Sequence, residues 1–97
     1  MILPDSVIQI NKNAFNRCRQ LKKIVLPDSL RYIDDGAFHG CTQLKDIILP
    51  ERLYAIGEYA FSGCNSLESI TIPERVKYTN EGFLANCANL KTVIMKS

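Results

Sequence analysis

The chain has 97 residues, 46% apolar and 23% charged, with a formal net charge of +2. That length allows one domain, and the composition excludes a disordered or collagen-like chain. No stretch approaches the roughly 18 consecutive apolar residues that a membrane-spanning helix requires.

The opening residues Met1–Asp5 carry neither a basic leader nor a long apolar run. No export signal is therefore expected in the chain itself, and its compartment stays open. The first feature met along the chain, Leu3-Pro4, returns as Leu26-Pro27, Leu49-Pro50 and Ile72-Pro73, each time 23 residues on. Such a period calls for a repeat architecture. It divides the single domain, residues 1–97, into units 3–25, 26–48, 49–71 and 72–94. Numbered from the leading Leu, position 16 is Cys18, Cys41, Cys64 and Cys87, and position 19 is Leu21, Leu44, Leu67 and Leu90. The pair Ala14-Phe15 recurs as Ala37-Phe38 and Ala60-Phe61. The apolar positions repeat while the polar ones vary, so one core shared by all units constrains the sequence.

Within each unit the elements follow in a fixed order. After the proline turn, Leu30-x-x-Ile33 and Leu53-x-x-Ile56 predict an extended segment. Asn11, Asp34, Gly57 or Asn80 then stands at a cap position. A single helical turn is expected next, because Ala and Cys four apart and Phe and Cys three apart share one helix face. Gly40, Gly63 and Asn86 suit a left-handed residue closing that turn. The unit ends in a strand, Leu-x-x-Ile-x-Leu-Pro, in which alternate residues point inward and proline stops the pairing. Each unit is too small to bury its own apolar face, so stacking in register is required. The fold predicted is α/β, a right-handed leucine-rich-repeat solenoid with a parallel β-sheet on one face and short helical turns on the other.

The units LPDSLRYIDDGAFHGCTQLKDII and LPERLYAIGEYAFSGCNSLESIT resemble the BspA-like (Treponema-type) leucine-rich repeats, and the resemblance extends over essentially the whole chain. It implies a surface-associated or secreted protein that uses its repeats for adhesion and protein recognition, with no catalytic residue to carry over. Repeat four departs from the pattern, with Thr79 in place of Ile and Phe83-Leu84 in place of Ala-Phe, which marks it as a terminal unit.

No enzyme is expected. The lone histidine, His39, falls at a variable position, and the serines lack a nucleophile-elbow setting. Cysteines 23 residues apart do not match zinc-ligand spacing. In a stack they form a ladder of buried free thiols, a geometry unsuited to disulfides. The acidic column Asp5, Asp28, Glu51 and Glu74 suits exposed turns better than a calcium site. Neither cofactor nor metal is expected. Charge is uneven, at +4, −2, −2 and +1 over the four units. The basic cluster Lys12, Arg17, Arg19, Lys22 and Lys23 lacks the interleaved aromatics of a nucleic-acid interface.

Alternation along the last strand turns two columns outward, Lys23, Asp46, Ser69, Thr92 and Val25, Ile48, Thr71, Ile94. This open sheet face is the expected site for a protein partner, with Tyr32, Tyr54 and Tyr78 as further anchors. Met1-Ile2 and Met95-Lys96-Ser97 read as parts of neighbouring units, leaving both core ends uncapped, as in a piece of a longer array. The alternative reading is a structural unit that associates through those ends, as an open fibre or a closed dimer.

Overall fold

The structure, a computed structural model, describes residues 1–96. Six strands follow in order: β1 (Gln9–Ile10), β2 (Tyr32–Ile33), β3 (Ala55–Ile56), β4 (Ser69–Ile72), β5 (Tyr78–Thr79) and β6 (Thr92–Met95). All pairing is parallel, and each partner lies 23 residues away. Parallel neighbours need a crossover between them, which here is the remainder of each repeat.

The extended segment after the proline turn builds a four-stranded sheet in the order β1-β2-β3-β5. The strand that closes each repeat pairs fully only between β4 and β6. At the equivalent positions of the earlier repeats, single bridges join Ile2 to Val25 and Lys23 to Asp46. The expected sheet face is therefore present, but regular only at its C-terminal end.

Side chains repeating at the same position stack over one another inside the coil. Leu30, Ile33, Leu44, Leu53, Ile56 and Leu67 are essentially inaccessible, each worth about 1.5–3 kcal/mol of burial. Phe15, Phe38 and Phe61 form a column of parallel rings with centroids 5.3 and 5.2 Å apart. The column stops at repeat four, where Leu84 replaces the ring. All four Phe pack on the core as expected, but Phe15 and Phe83 are only partly buried, because one lies in the first repeat and the other in the last. Side chains tie neighbouring rungs as well: Ser29 donates to the Val7 carbonyl (2.6 Å) and Ser66 to that of Thr42 (2.8 Å). Among the described residues no buried side-chain nitrogen or oxygen lacks a hydrogen-bond partner.

The segment expected as a helical turn takes a different form. Its residues lie in successive tight turns, as where Ala37 N–H donates to Asp34 C=O and Cys41 N–H to Phe38 C=O (both 3.2 Å). Two columns adopt left-handed backbone: Arg17, Gly40, Gly63 and Asn86 at position 15, and Asn13, Gly36, Tyr59 and Gly82 at position 11, with φ between 55° and 75°. Alternation of this kind breaks the i→i−4 pattern of a helix and turns N–H groups along the solenoid axis. In the first three repeats, positions 11, 13 and 15 donate to the carbonyls at positions 10, 12 and 14 of the following repeat. Phe15 thus donates to Ala37 (2.8 Å), Phe38 to Ala60 (2.8 Å) and Phe61 to Phe83 (2.9 Å). On this side a backbone ladder between repeats replaces the helical turns.

Candidate partner-binding faces

Elements closing each repeat place the two outward columns where alternation puts them. Ser69 lies opposite Thr92 and Thr71 opposite Ile94, while the bridges set Lys23 beside Asp46 and Ile2 beside Val25. Along β4, exposed Ser69 and half-buried Thr71 alternate with buried Ile70 and Ile72. Lys23, Asp46, Ser69 and Thr92 are exposed, as are Val25, Ile48 and Ile94. Ile48 stands out because 84% of it faces solvent. A branched apolar side chain so exposed adds little to core stability, and with exposed Val25 lining the same groove it forms part of an apolar patch.

Two shallow grooves flank Ile48. One is lined by Lys23, Val25, Asp28, Lys45 and Asp46, and the other by Glu51, Ser69, Thr71, Pro73 and Lys96. Lys96 and Glu51 form the one ion pair among the described residues, at 3.4 Å and largely in solvent. Such a pair contributes about 0–1 kcal/mol, so a ligand can displace it at little cost. Sequence reading missed three residues of this face: Lys96 and Glu51, which no side-chain period brings together, and Ile2. The last was discoverable, since extending the 23-residue period back from Val25 lands on it.

Tyr32, Tyr54 and Tyr78 do not join this face. They sit on or beside β2, β3 and β5 in the other sheet, and correct the expectation of one combined surface. Their rings contact edge to face, with centroids 6.0 and 5.6 Å apart, and all three are substantially exposed. The neighbouring Tyr78 pushes the Tyr54 hydroxyl above its ordinary pKa. The physical reason for the separation is position: the tyrosines follow the proline turn, whereas the outward columns precede it.

All four cysteines are free. Cys41 and Cys64 are buried, and each thiol donates to a phenylalanine carbonyl of the preceding repeat, Phe15 (3.1 Å) and Phe38 (3.3 Å). Burial pushes the Cys41 thiol up to about 11 and the Cys64 thiol up to about 12. Cys18 and Cys87 are only partly buried, so the expectation of four buried thiols holds for the inner pair alone. The end repeats have a neighbour on one side only.

The sequence profile of the BspA type leucine rich repeat region, described with 6 copies, matches residues 1–97. The chain belongs to that family. Its four units are fewer than the profile describes. Among solved structures, a leucine-rich repeat protein of T. pallidum is 42% identical with a TM-score of 0.93, covering 95% of this chain and 43% of its own. A leucine-rich repeat protein from Bacteroides ovatus is 38% identical with a TM-score of 0.92, covering 98% of this chain and 26% of its own. A Faecalibacterium prausnitzii protein described as a leucine rich cell surface protein is 28% identical with a TM-score of 0.73, covering 100% of this chain and 32% of its own. The BspA-type chain thus spans less than half the length of these solved relatives. Among curated proteins no match is found. No helix among the described residues is long and apolar enough to cross a membrane.

Proposed function

We propose that this BspA-type repeat unit is a non-enzymatic protein-recognition module of a surface-associated, adhesion-type protein, and that it binds its partner on the face formed by β4, β6 and the bridged strands. The observation that carries this reading is the branched column Ile2, Val25, Ile48, Thr71 and Ile94, exposed except for half-buried Thr71, with Lys23, Asp46, Ser69 and Thr92 alongside. Solenoids bind partners on extended surfaces of this sort, and an apolar strip beside polar side chains offers affinity and orientation together. The surface description of the F. prausnitzii relative supports the location. The tyrosine row on the other sheet is a second, separate anchor. The test compares the proteins retained from an extracellular fraction by the immobilised chain and by an Ile48→Glu/Thr71→Glu variant. Loss of specific partners with an unchanged melting curve is expected, while Arg75→Glu leaves binding intact. An unchanged set of partners with the face variant overturns the assignment.

A second reading, self-association through the ends, is favoured by half-covered apolar groups at both termini of the stack. Met1, Phe15, Cys18 and Leu21 border a shallow groove at one end, and Val93, Ile94 and Met95 lie 42–63% exposed at the other.

A further inference from the structure

The four-stranded sheet carries an aromatic surface that the core does not use. Its strands align Gln9, Tyr32, Ala55 and Tyr78 in register. Ala55 is too short to continue the row, and the Tyr54 ring, from one residue earlier, fills the place between Tyr32 and Tyr78. Neighbouring rings stand at 80° and 72° to one another, and the three side chains are 38–54% exposed. The row therefore offers π-surface to solvent. Beside it, Gly57 stands in repeat three where repeats two and four carry Asp34 and Asn80. Ala55 and Gly57, the smallest residues of their columns, leave a depression of about 240 Å³ bordered by Tyr32, Asp34, Asp35 and Asn80.

Charge on the side where these strands end has one sign. Residues 32–44, 54–67 and 78–90 contain Asp34, Asp35, Glu58 and Glu81 and no Lys or Arg. None of the four carboxylates is in an ion pair among the described residues. Asp34 accepts from the Gln9 side-chain amide, Asp35 Oδ1 from the Glu58 N–H (2.8 Å) and Glu81 from the Tyr59 hydroxyl (2.9 Å). These neutral donors orient the carboxylates and leave their charge in place. Asp35, Glu58 and Glu81 hold the same position of successive repeats, so like charges lie one rung apart, about 4.8 Å by strand spacing. Such an alignment works against the fold. Lys12 holds that position in the first repeat, and four carboxylates with one lysine give −3 here, on a chain whose formal net charge is +2. On the other side of the row Arg31 is folded onto the carbonyls of Asp28, Ser29 and Leu30, and Lys77 is the exposed cation next to Tyr78.

We propose that this face binds an arginine-bearing extended segment of a partner protein, its guanidinium groups stacking on Tyr32, Tyr54 and Tyr78 and pairing with Asp34, Asp35, Glu58 and Glu81. The proposal rests on the recognition reading and gives the tyrosine row its partner chemistry. Charge complementarity selects a cation, and the aromatic row beside the carboxylates selects arginine among cations. A planar guanidinium stacks on a ring and meets a carboxylate with two parallel N–H donors, whereas an ammonium is a point charge. Two rungs separate Asp35 from Glu81, about 9.6 Å, which is the reach of about three extended residues. A segment lying along the solenoid with arginine at every third residue matches that spacing.

Fluorescence anisotropy tests this on the intact chain with a labelled peptide carrying arginine at every third residue and glycine between. Saturable binding is expected below about 1 mM peptide, weakening as salt is raised. Tyr54→Ala should weaken it about two- to fivefold, the worth of an exposed cation–π contact, while Tyr54→Phe keeps the ring and binds as the wild type does. Asp35→Asn/Glu58→Gln removes two charges and keeps an oxygen for the Glu58 N–H, and should weaken binding about tenfold at low salt. Ile48→Ser, on the other face, leaves binding unchanged, and circular dichroism checks that each variant is folded. The same peptide with lysine for arginine binds more weakly, and with glutamate it does not bind. The proposal is overturned by an arginine peptide that shows no saturable binding, or by a lysine peptide that binds equally well. It is also overturned if either Tyr54→Ala or the carboxylate variant leaves binding intact, or if Ile48→Ser abolishes it. Failure here leaves recognition on the Ile48 face standing, because the Ile48→Glu/Thr71→Glu comparison reads that face separately.

Discussion

Truncating the middle ring of the phenylalanine column tests the packing most sharply. Phe38 is wholly inaccessible and lies between Phe15 and Phe61, with ring centroids 5.3 and 5.2 Å away. Phe38→Ala should cost about 3–5 kcal/mol as a core truncation, and two lost ring contacts put it toward the upper part of that range. Against a total stability of about 5–15 kcal/mol, that removes about a quarter or more. With a urea slope of about 1–3 kcal/mol/M, the midpoint falls by roughly 2 M. Phe15→Ala, with one ring neighbour and a half-buried side chain, should cost about half as much. Tyr54→Ala removes two exposed edge contacts and should cost about 1 kcal/mol. Equilibrium urea melts by circular dichroism rank the three. Tyr54→Ala costing more than Phe38→Ala would refute the assignment of inside and outside, and equal losses at Phe15 and Phe38 would refute the stacked column.

The thiols should divide into two classes. In native protein a thiol reagent labels Cys18 and Cys87 first and leaves Cys41 and Cys64 protected until denaturation, as peptide mapping would show. Uniform labelling of all four would contradict the burial. Burial raises the folded pKa of Cys41 and Cys64 from 9.0 to about 11 and about 12, so above pH 9 the unfolded chain loses protons that the folded chain keeps. Stability contributed by these groups is complete below pH 9 and falls as pH rises toward 11, by about 1.4 kcal/mol per pH unit for each thiol. A Cys41→Ala/Cys64→Ala chain should show a flatter alkaline decline in urea melts, and parallel curves would contradict this. Gly57→Ala should destabilise by about 1–3 kcal/mol, because a Cβ there would press on the backbone of Asp34 and Asp35. A neutral melting shift would show that the close approach is absent.

The inward positions were readable because side chains carry the period: Ile33, Ile56, Leu44 and Leu67 stack as their spacing requires. Outward columns were equally readable from alternation, which placed Ile48 and Ser69 correctly. Left-handed backbone could be inferred at Gly40, Gly63 and Asn86, whose residue types favour it, but not at Arg17 or Tyr59, where the neighbouring rungs impose it. The missing helical turn has the same origin. An Ala, Phe and Cys on one side suit a helix and a run of tight turns alike, and the choice is made by backbone N–H groups that find acceptors in the next repeat. Hydrogen bonds 22 residues apart, such as Phe15 to Ala37, leave no mark on side-chain periodicity. The tyrosines were misplaced because they lie on the far side of the proline turn from the outward columns.

Amide hydrogen exchange read by NMR on dilute, monomeric protein tests the stacking of repeats most directly. Slow exchange is predicted for Phe15, Phe38 and Phe61, with rapid exchange for their counterpart Leu84 and for Gly82 and Asn86, whose N–H groups find no backbone acceptor among the described residues. Comparable protection in all four repeats, as isolated helical turns would give, or fast exchange at Phe15 and Phe38, would contradict the account.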